Sequence, residues 1–311
     1  MRSIRNTRRV NFDKMPDTNT FKAWLLAARP KTLTAAAVPV MVGAAYAWRM
    51  AHGKDVEYSA MLLCFLFAFV MQIDANFVND YFDCVKGADN ENRLGPQRAC
   101  QQGWVTLSAM RWAMFITTVL AALIGLPLIF YGGLPLIVIG MMCLLFCFLY
   151  TTLLAGKGMG DLLVIIFFGL IPCGFTCYVM STGTLQQIQY MPWTIAVACG
   201  IAVDTLLIVN NYRDIDNDRA VGKRTMVVLM GKRMTEFIFL LTMPVAVAIV
   251  IMSLGLTSLC AIMVIPVLLH IHAWHRMLAI GEGRELNKVL GVVARNIFVF
   301  GILTTLLIIF S

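Results

Sequence analysis

The sequence predicts an all-α fold, a polytopic membrane bundle of nine transmembrane helices with a central cavity open toward the cytoplasmic side. Three observations support this. Hydrophobic residues make up 59% of the chain and charged residues 14%, whereas soluble domains average about 45–50% and about 25%. Apolar stretches near the spanning length of about 20 residues recur from one end to the other. Nine of the 17 acidic residues lie toward the ends of two of these stretches.

The predicted spans leave little of the chain outside the membrane domain. A polar, basic tail occupies residues 1–21, and a single membrane domain covers residues 22–311. The tail lacks the apolar core of a cleaved signal peptide, and we expect it to be cytoplasmic. The nine segments are Thr32–Trp48, Tyr58–Val78, Ala109–Phe130, Leu134–Leu153, Leu162–Met180, Pro192–Val209, Phe237–Leu254, Leu256–Trp274 and Val289–Phe310.

The loop charges predict the orientation. All of the 25 Lys and Arg residues except Arg49 and Lys54 fall on one side of this arrangement. The positive-inside rule makes that side cytoplasmic, with the N-terminus inside and the C-terminus outside a cell (inner) membrane. The same rule accounts for the net charge of +8. Nucleic-acid binding is not predicted, because no basic helix or aromatic-interleaved platform is present.

Acidic residues form two clusters at the cytoplasmic ends of spans two and six. Charge near a membrane interior is costly and usually functional. For the deeper Asp74 and Asp204 we expect structural hydrogen bonds between helices. Whether Asp89 or Asp216 binds metal stays open. The first cluster contains Asp74, Asp80, Asp83, Asp89 and Glu91, and the second contains Asp204, Asp214, Asp216 and Asp218.

The two clusters share a pattern. Residues Asn79–Asp83 read Asn-Asp-Tyr-Phe-Asp, and residues Asn210–Asp214 read Asn-Asn-Tyr-Arg-Asp. Both fit Asn-x-Tyr-x-Asp, both end a span, and both lead into a basic loop. We interpret this as a weak internal repeat that places two acidic helix ends opposite each other across one cavity. Residues three and four apart on a helix share a face, so the polar groups of each cluster converge.

Facing carboxylates beside basic residues suggest a chemistry. Mg²⁺ takes hard oxygen ligands and is usually held by few carboxylates together with phosphate oxygens. Guanidinium groups suit bidentate phosphate contacts, and Lys acts as a point charge. These groups would stabilise a departing diphosphate. If the leaving group departs from an allylic carbon, an apolar membrane bundle would protect the carbocation. The basic residues on this side are Arg93, Arg98, Lys157, Arg213, Lys223 and Arg224.

At these residues the sequence resembles the UbiA superfamily of intramembrane prenyltransferases. Its members carry Asn-Asp-x-x-Asp after the second helix and Asp-x-x-x-Asp after the sixth, which correspond here to Asn79–Asp83 and Asp214–Asp218. The chain is most similar to the subgroup that prenylates 1,4-dihydroxy-2-naphthoate in menaquinone biosynthesis. Gly87 stands where the wider superfamily has an Asp, and the acid comes two residues later, as in that subgroup. Further matching strings are Arg93–Arg98, Gly158–Asp161 and Gly222–Thr225.

The resemblance implies a site and a reaction. A polyprenyl diphosphate and 1,4-dihydroxy-2-naphthoate would be the substrates. The allylic cation would attack the carboxylated ring carbon with loss of CO₂, giving demethylmenaquinone. Asp80, Asp83, Asp214 and Asp218 would hold Mg²⁺. The diphosphate would be bound by Asn79, Arg93, Arg98, Asn211, Arg213 and Lys223, and the catalytic residues would be Asp83, Asp214, Asp218 and Lys157.

Three alternatives stay open at this point. Another aromatic prenyltransferase of the same superfamily would share the motifs. A secondary transporter would also use intramembrane carboxylates, although such sites favour the bilayer midplane. A CDP-alcohol phosphotransferase uses Asp-x-x-x-Asp, but its longer Asp-Gly-x-x-Ala-Arg signature is missing. The string His270, His272 and His275 is interpreted as part of an interfacial belt rather than a metal site, because offsets of two and three converge poorly on one ion.

Overall fold

A computed structural model describes residues 16–87 and 94–311 of the chain. Throughout these two ranges the regular secondary structure is helical, without a strand. Nine helical segments within them are long and apolar enough to cross a membrane. The predicted all-α class and the number of spans are therefore confirmed, and the chain is a multi-pass membrane protein.

The described residues form twelve α-helices. In chain order the α-helices are α1 (Phe21–Ala28), α2 (Leu33–Met50), α3 (Tyr58–Val85), α4 (Leu107–Gly125), α5 (Ile129–Gly132), α6 (Pro135–Leu149), α7 (Gly160–Ile165), α8 (Phe175–Met180), α9 (Trp193–Ala220), α10 (Met226–Leu254), α11 (Val264–Ile280) and α12 (Leu286–Phe310). A π-helical segment, Ile166–Gly174, joins α7 to α8, and another, Tyr150–Leu154, extends α6. Helix α10 is kinked at Gly231.

Helices α3 and α9 continue beyond the predicted spans. The apolar pattern ended at Val78 and Val209, whereas the helices end at Val85 and Ala220. Hydropathy marks the length of a helix that lies within the membrane, but helical hydrogen bonding can continue into the polar residues that follow. Both Asn-x-Tyr-x-Asp repeats therefore lie on the last turns of long helices, where their side chains are held at fixed helical angles.

Small residues let the central helices approach closely. A Cβ at Gly169 would lie 2.5 Å from the carbonyl oxygen of Ala196, and one at Gly200 would lie 2.7 Å from the Cα of Ile165. Small residues at helix interfaces are typical of membrane bundles, because packing rather than hydrophobic burial drives association in lipid. This contact fixes α9, which carries the second acidic cluster, against α7 and the π-helical segment.

The short helix α1 precedes the first span and packs on the first acidic helix. Trp24 stacks edge-to-face on Phe77 of α3, with ring centroids 5.7 Å apart. The backbone N–H of Asn19 donates to the carbonyl oxygen of Trp104 (2.7 Å). The N-terminal residues and the segment before α4 are thereby joined at the end of α3 where the acidic cluster lies.

Candidate active site

A large cavity runs through the middle of the helical bundle. Its volume is about 1280 Å³, and most of its wall is apolar. Polar and charged residues concentrate at the end where α3 and α9 terminate. The apolar part is lined by residues including Phe67, Leu144, Phe167, Phe175 and Val179, and the polar end by Asn79, Asp83, Arg98, Asn210, Asn211, Arg213, Asp214, Asn217, Asp218, Lys223 and Asn287. Such a cavity fits an amphipathic ligand with a polar head and an apolar tail.

The first motif divides between two faces of α3. Asn79 and Asp83, four residues apart, line the cavity. Asp80 lies outside the cavity lining and is fully buried. Its two carboxylate oxygens accept the backbone N–H groups of Ala99 (2.9 Å) and Cys100 (3.1 Å).

This placement does not support Asp80 as a metal ligand, because it lies outside the cavity that the other three predicted ligands line. Each of its oxygens accepts one backbone N–H group, and one residue of helix turns the side chain about 100° away from Asn79. Asp80 instead anchors the segment that carries Arg98 to the end of α3. Burial, followed by the Asp80 charge, raises the pKa of the Cys100 thiol in that segment.

The second motif presents two carboxylates to the same cavity. Asp214 and Asp218 are one helical turn apart on α9, and both line the cavity. Asp216 lies on the opposite face, with its side chain 77% exposed and 3.5 Å from Arg219. The alternation of these three acids along the helix therefore separates two inward groups from one outward group.

Each inward acid is paired with a base. Asp83 contacts Arg98 at 2.7 Å, and Asp218 contacts Lys223 at 3.2 Å. The guanidinium of Arg213 donates to both oxygens of Asp214, at 2.9 and 2.5 Å. Partly buried charges are stabilised by such pairing. Three predicted metal ligands and three predicted diphosphate ligands thus meet as pairs at one end of one cavity.

The remaining predicted residues fall in three places. Asn211 lines the cavity, and Asn79 accepts a hydrogen bond from the hydroxyl of Thr151. Lys157 is exposed and lies outside the cavity lining, so its assignment as a catalytic residue is not supported by this geometry. Arg93, like Asp89, lies outside the described residues.

The deeper acids and the histidines have other surroundings. Asp74 accepts hydrogen bonds from the hydroxyls of Thr117 (2.5 Å) and Thr118 (2.9 Å) on α4, as expected for a structural residue. Asp204 is also buried, but its Oδ1 has no hydrogen-bond partner among the described residues, contrary to that expectation. His270 is fully buried and its Nε2 donates to the carbonyl oxygen of Phe239 (2.6 Å). That position corrects its interpretation as an interfacial residue.

Two polar features escaped the sequence prediction. A smaller chamber of about 60 Å³ adjoins the Asp218–Lys223 pair and is also lined by Tyr150 and Asp161. One buried carboxylate oxygen of Asp161 has no hydrogen-bond partner among the residues that the structure describes. Asn287, on α12, belongs to no motif, yet it lies at the polar end of the large cavity. Asp161 is part of a matching string, but spacing along the chain did not indicate that it approaches α9.

The donor set at the polar end fits Mg²⁺. It consists of carboxylate and amide oxygens, the ligands that this ion prefers. Within the described residues, no group of three or more His, Cys, Asp or Glu side chains converges as a complete metal site. Mg²⁺ usually keeps several waters and binds through one or two carboxylates and substrate phosphates. A Mg²⁺ ion that also binds a diphosphate therefore needs only part of its ligands from the protein.

In the described residues, a nine-span helical bundle with paired acids and bases at one end of an apolar cavity has the features of an intramembrane enzyme. Comparison with known proteins agrees with this class. The model of the UbiA prenyltransferase family matches residues 36–306. The chain belongs to the UbiA prenyltransferase family, which disfavours the transporter and CDP-alcohol phosphotransferase alternatives.

Curated relatives cover most of the chain. It is 37% identical over 228 residues to a 1,4-dihydroxy-2-naphthoate octaprenyltransferase of Escherichia coli (strain K12), covering 68% of this chain and 69% of that protein. It is 31% identical over 278 residues to a protein of the same description from Mycobacterium tuberculosis, covering 87% and 91%.

Solved structures share the fold. A UbiA homolog from Aeropyrum pernix K1 superposes with a TM-score of 0.65 at 15% identity, covering 84% of this chain and 95% of that one. A UbiA homolog from Archaeoglobus fulgidus, bound to DMAPP and Mg²⁺, gives a TM-score of 0.59 at 12% identity, covering 91% and 99%.

Proposed function

We propose that this protein transfers a polyprenyl group from a polyprenyl diphosphate to 1,4-dihydroxy-2-naphthoate, releasing CO₂ and diphosphate and forming the demethylmenaquinone skeleton. The observation that supports it most is the meeting of Asp83 on α3 with Asp214 and Asp218 on α9 at the polar end of one apolar cavity. The naphthoate acceptor is supported by similarity to the two relatives of that description.

The residues at the polar end suit diphosphate departure. Asp83, Asp214 and Asp218 would hold Mg²⁺, which when bound neutralises the diphosphate and stabilises it as a leaving group. The bases now paired with these acids would turn toward the phosphate oxygens. Arg98 and Arg213 offer planar, bidentate donors, and Lys223 offers a point charge. Donors aimed at developing charge are the largest single contribution in many enzymes.

The apolar part of the cavity suits the remaining steps. Aromatic and aliphatic side chains such as Phe167 and Leu144 line it, so the prenyl tail is accommodated and bulk water is excluded from the cation. The carbon–oxygen bond breaks with its electron pair on the diphosphate. A carbon–carbon bond then forms at the carboxylated ring carbon, and the electron pair of the departing CO₂ group returns to the ring.

The loop charges support the orientation of the site. Because the basic loops flank the ends of α3 and α9, the polar end would open to the cytoplasm of a cell with the protein in its inner membrane. The N-terminus would then be cytoplasmic and the C-terminus would lie on the opposite side. Water-soluble naphthoate would reach the site from the cytoplasm, and the prenyl tail would stay in the apolar cavity.

The test is product identification with the purified protein in liposomes. Labelled polyprenyl diphosphate is supplied with 1,4-dihydroxy-2-naphthoate or 4-hydroxybenzoate, with and without Mg²⁺, and products are identified by mass spectrometry. We expect a decarboxylated prenyl naphthalenediol only with the naphthoate and Mg²⁺. If only 4-hydroxybenzoate were prenylated, the naphthoate assignment would be wrong and 4-hydroxybenzoate would be the acceptor. Absence of any Mg²⁺-dependent diphosphate release would refute prenyl transfer.

A further inference from the structure

One side chain of α12 connects α9 with the segment that carries Arg98. The Nδ2 of Asn287 donates to the carbonyl oxygen of Leu94 (2.8 Å), at the start of the described segment that carries Arg98. The Oδ1 of the same amide accepts from Nη1 of Arg213 (2.7 Å) on α9. The residues joined are 193 and 74 positions from Asn287 along the chain. A single amide therefore connects three parts of the polar rim of the cavity.

The partners fix the orientation of this amide. A guanidinium has only donors, and a backbone carbonyl has only acceptor sites. Arg213 therefore requires the oxygen of Asn287, and Leu94 requires its nitrogen. An aspartate at this position would keep the contact with Arg213 but would oppose the Leu94 carbonyl, because a carboxylate has no proton to donate. An alanine would lose both bonds.

The contact determines where the guanidinium of Arg213 is held. Its Nε and Nη2 are directed at Asp214, and its Nη1 is directed at Asn287. Arg213 is only 4% exposed, so its position depends on these partners. If the oxygens of Asp214 bind a metal ion, two N–H groups of Arg213 become available for phosphate. The bond to Asn287 would keep the guanidinium at the cavity wall during that exchange.

We propose that Asn287 is a positioning residue for the diphosphate of the prenyl donor, a role that rests on the proposed function. Its Oδ1 holds Arg213 in place for one side of the diphosphate. Its Nδ2 holds the Leu94 end of the segment whose Arg98 contacts Asp83 on the other side. Leu94, Arg98, Arg213 and Asn287 all line the cavity. The residue thus fixes the spacing of two cations that would bind one diphosphate.

The experiment compares Asn287→Ala and Asn287→Asp with a matched control on the same helix. Asn296 is also buried, and its Nδ2 donates to the carbonyl oxygen of Leu269 with the same length of 2.8 Å, but it lies outside the cavity lining. Asn296→Ala therefore removes a comparable structural bond at a distance from the site. The full-length protein in detergent or liposomes is used for all variants.

Two measurements are made on each variant. One is the KM and kcat for polyprenyl diphosphate at saturating naphthoate and Mg²⁺, and the other is the Kd of farnesyl S-thiolodiphosphate with Mg²⁺. Hydrogen bonds to charged groups account for on the order of tenfold or more in an equilibrium constant. We expect Asn287→Ala to raise KM and Kd by about tenfold, with a much smaller change in kcat. We expect Asn287→Asp to raise both at least as much, because its carboxylate competes with diphosphate for Arg213. Asn296→Ala should leave KM and Kd near the wild-type values.

The outcomes separate the inference from the proposed function. If the wild-type protein does not bind the thiolodiphosphate, prenyl transfer is refuted and the role of Asn287 with it. If wild type binds but both Asn287 variants bind equally well, only the positioning role is overturned. The same conclusion follows if kcat falls while KM and Kd stay constant, or if Asn296→Ala reproduces the effect. Asn287→Asp, which preserves side-chain volume, decides the question if Asn287→Ala does not fold.

Discussion

Asp80 and Asp83 belong to one motif but have different surroundings, and substitution should separate them. Asp80→Asn removes a carboxylate that accepts two backbone N–H groups. Hydrogen bonds to a charged group contribute about 1.5–3 kcal/mol each, and a neutral bond contributes about 1 kcal/mol. Asparagine can keep one neutral bond, but its NH₂ then faces the second N–H. We expect a loss of about 2–5 kcal/mol in the free energy of unfolding.

Asp83→Asn should have the opposite profile. Its carboxylate is 23% exposed at the cavity and contacts Arg98, so partial solvation limits the effect on stability. Loss of one group that stabilises charge in the transition state lowers kcat by on the order of 10²–10³-fold. The two variants have equal side-chain volumes, which makes each the control for the other.

The assay combines thermal unfolding in detergent with prenyl transfer as a function of Mg²⁺ concentration. Alkylation of Cys100, located by peptide mass spectrometry, adds a local measurement. Burial and the Asp80 charge raise the pKa of this thiol in the wild-type protein, so little thiolate is available near neutral pH. Asp80→Asn removes the charge and loosens the segment, and alkylation should begin at lower pH. An Asp80→Asn protein with wild-type stability and impaired Mg²⁺ dependence would refute the division of roles.

Three further predictions concern other parts of the site and the bundle. Asp214→Asn should lower kcat by on the order of 10²–10³-fold, whereas Asp216→Asn, which removes an exposed acid, should stay within about twofold because surface ion pairs contribute little; equal losses in a transfer assay would contradict the assignment. Lys157→Ala should retain most activity, because the side chain lies outside the cavity lining. A loss above tenfold in kcat would show instead that Lys157 takes part in catalysis. Gly200→Ala should cost about 1–3 kcal/mol by forcing apart two packed helices, measured as a lower unfolding temperature with unchanged KM; an unchanged unfolding temperature would show that the contact is loose.

The sequence was sufficient for the architecture because a membrane imposes strong rules. Span length, hydropathy and the distribution of basic residues depend on the lipid environment rather than on tertiary detail. The duplicated Asn-x-Tyr-x-Asp pattern then predicted that two acidic helix ends face one cavity. The structure agrees, since Asp83 and Asp214 line the same cavity.

The direction of individual side chains could not be predicted with the same success. Asp80 is next to Asn79 in sequence, but one step of helix turns it toward a segment nearly twenty residues later. Asn287 was missed because its partners, Leu94 and Arg213, are remote in sequence and its surroundings match no motif. Lys157 was assigned to the site because it lies on the same predicted side of the membrane as the acidic clusters. That position does not specify how far the side chain lies from the cavity. Each case depends on a tertiary contact that the local pattern does not encode.

The central claim is that acids from α3 and α9 act together on one metal–diphosphate complex. Binding of Mn²⁺, followed by electron paramagnetic resonance in the presence of farnesyl S-thiolodiphosphate, tests it directly in the wild-type protein and in Asp83→Asn and Asp214→Asn. We predict that the analogue strengthens Mn²⁺ binding to the wild type and that either substitution abolishes this enhancement. Full enhancement in either variant would show that the two helix ends do not share the ion, and the account would be wrong.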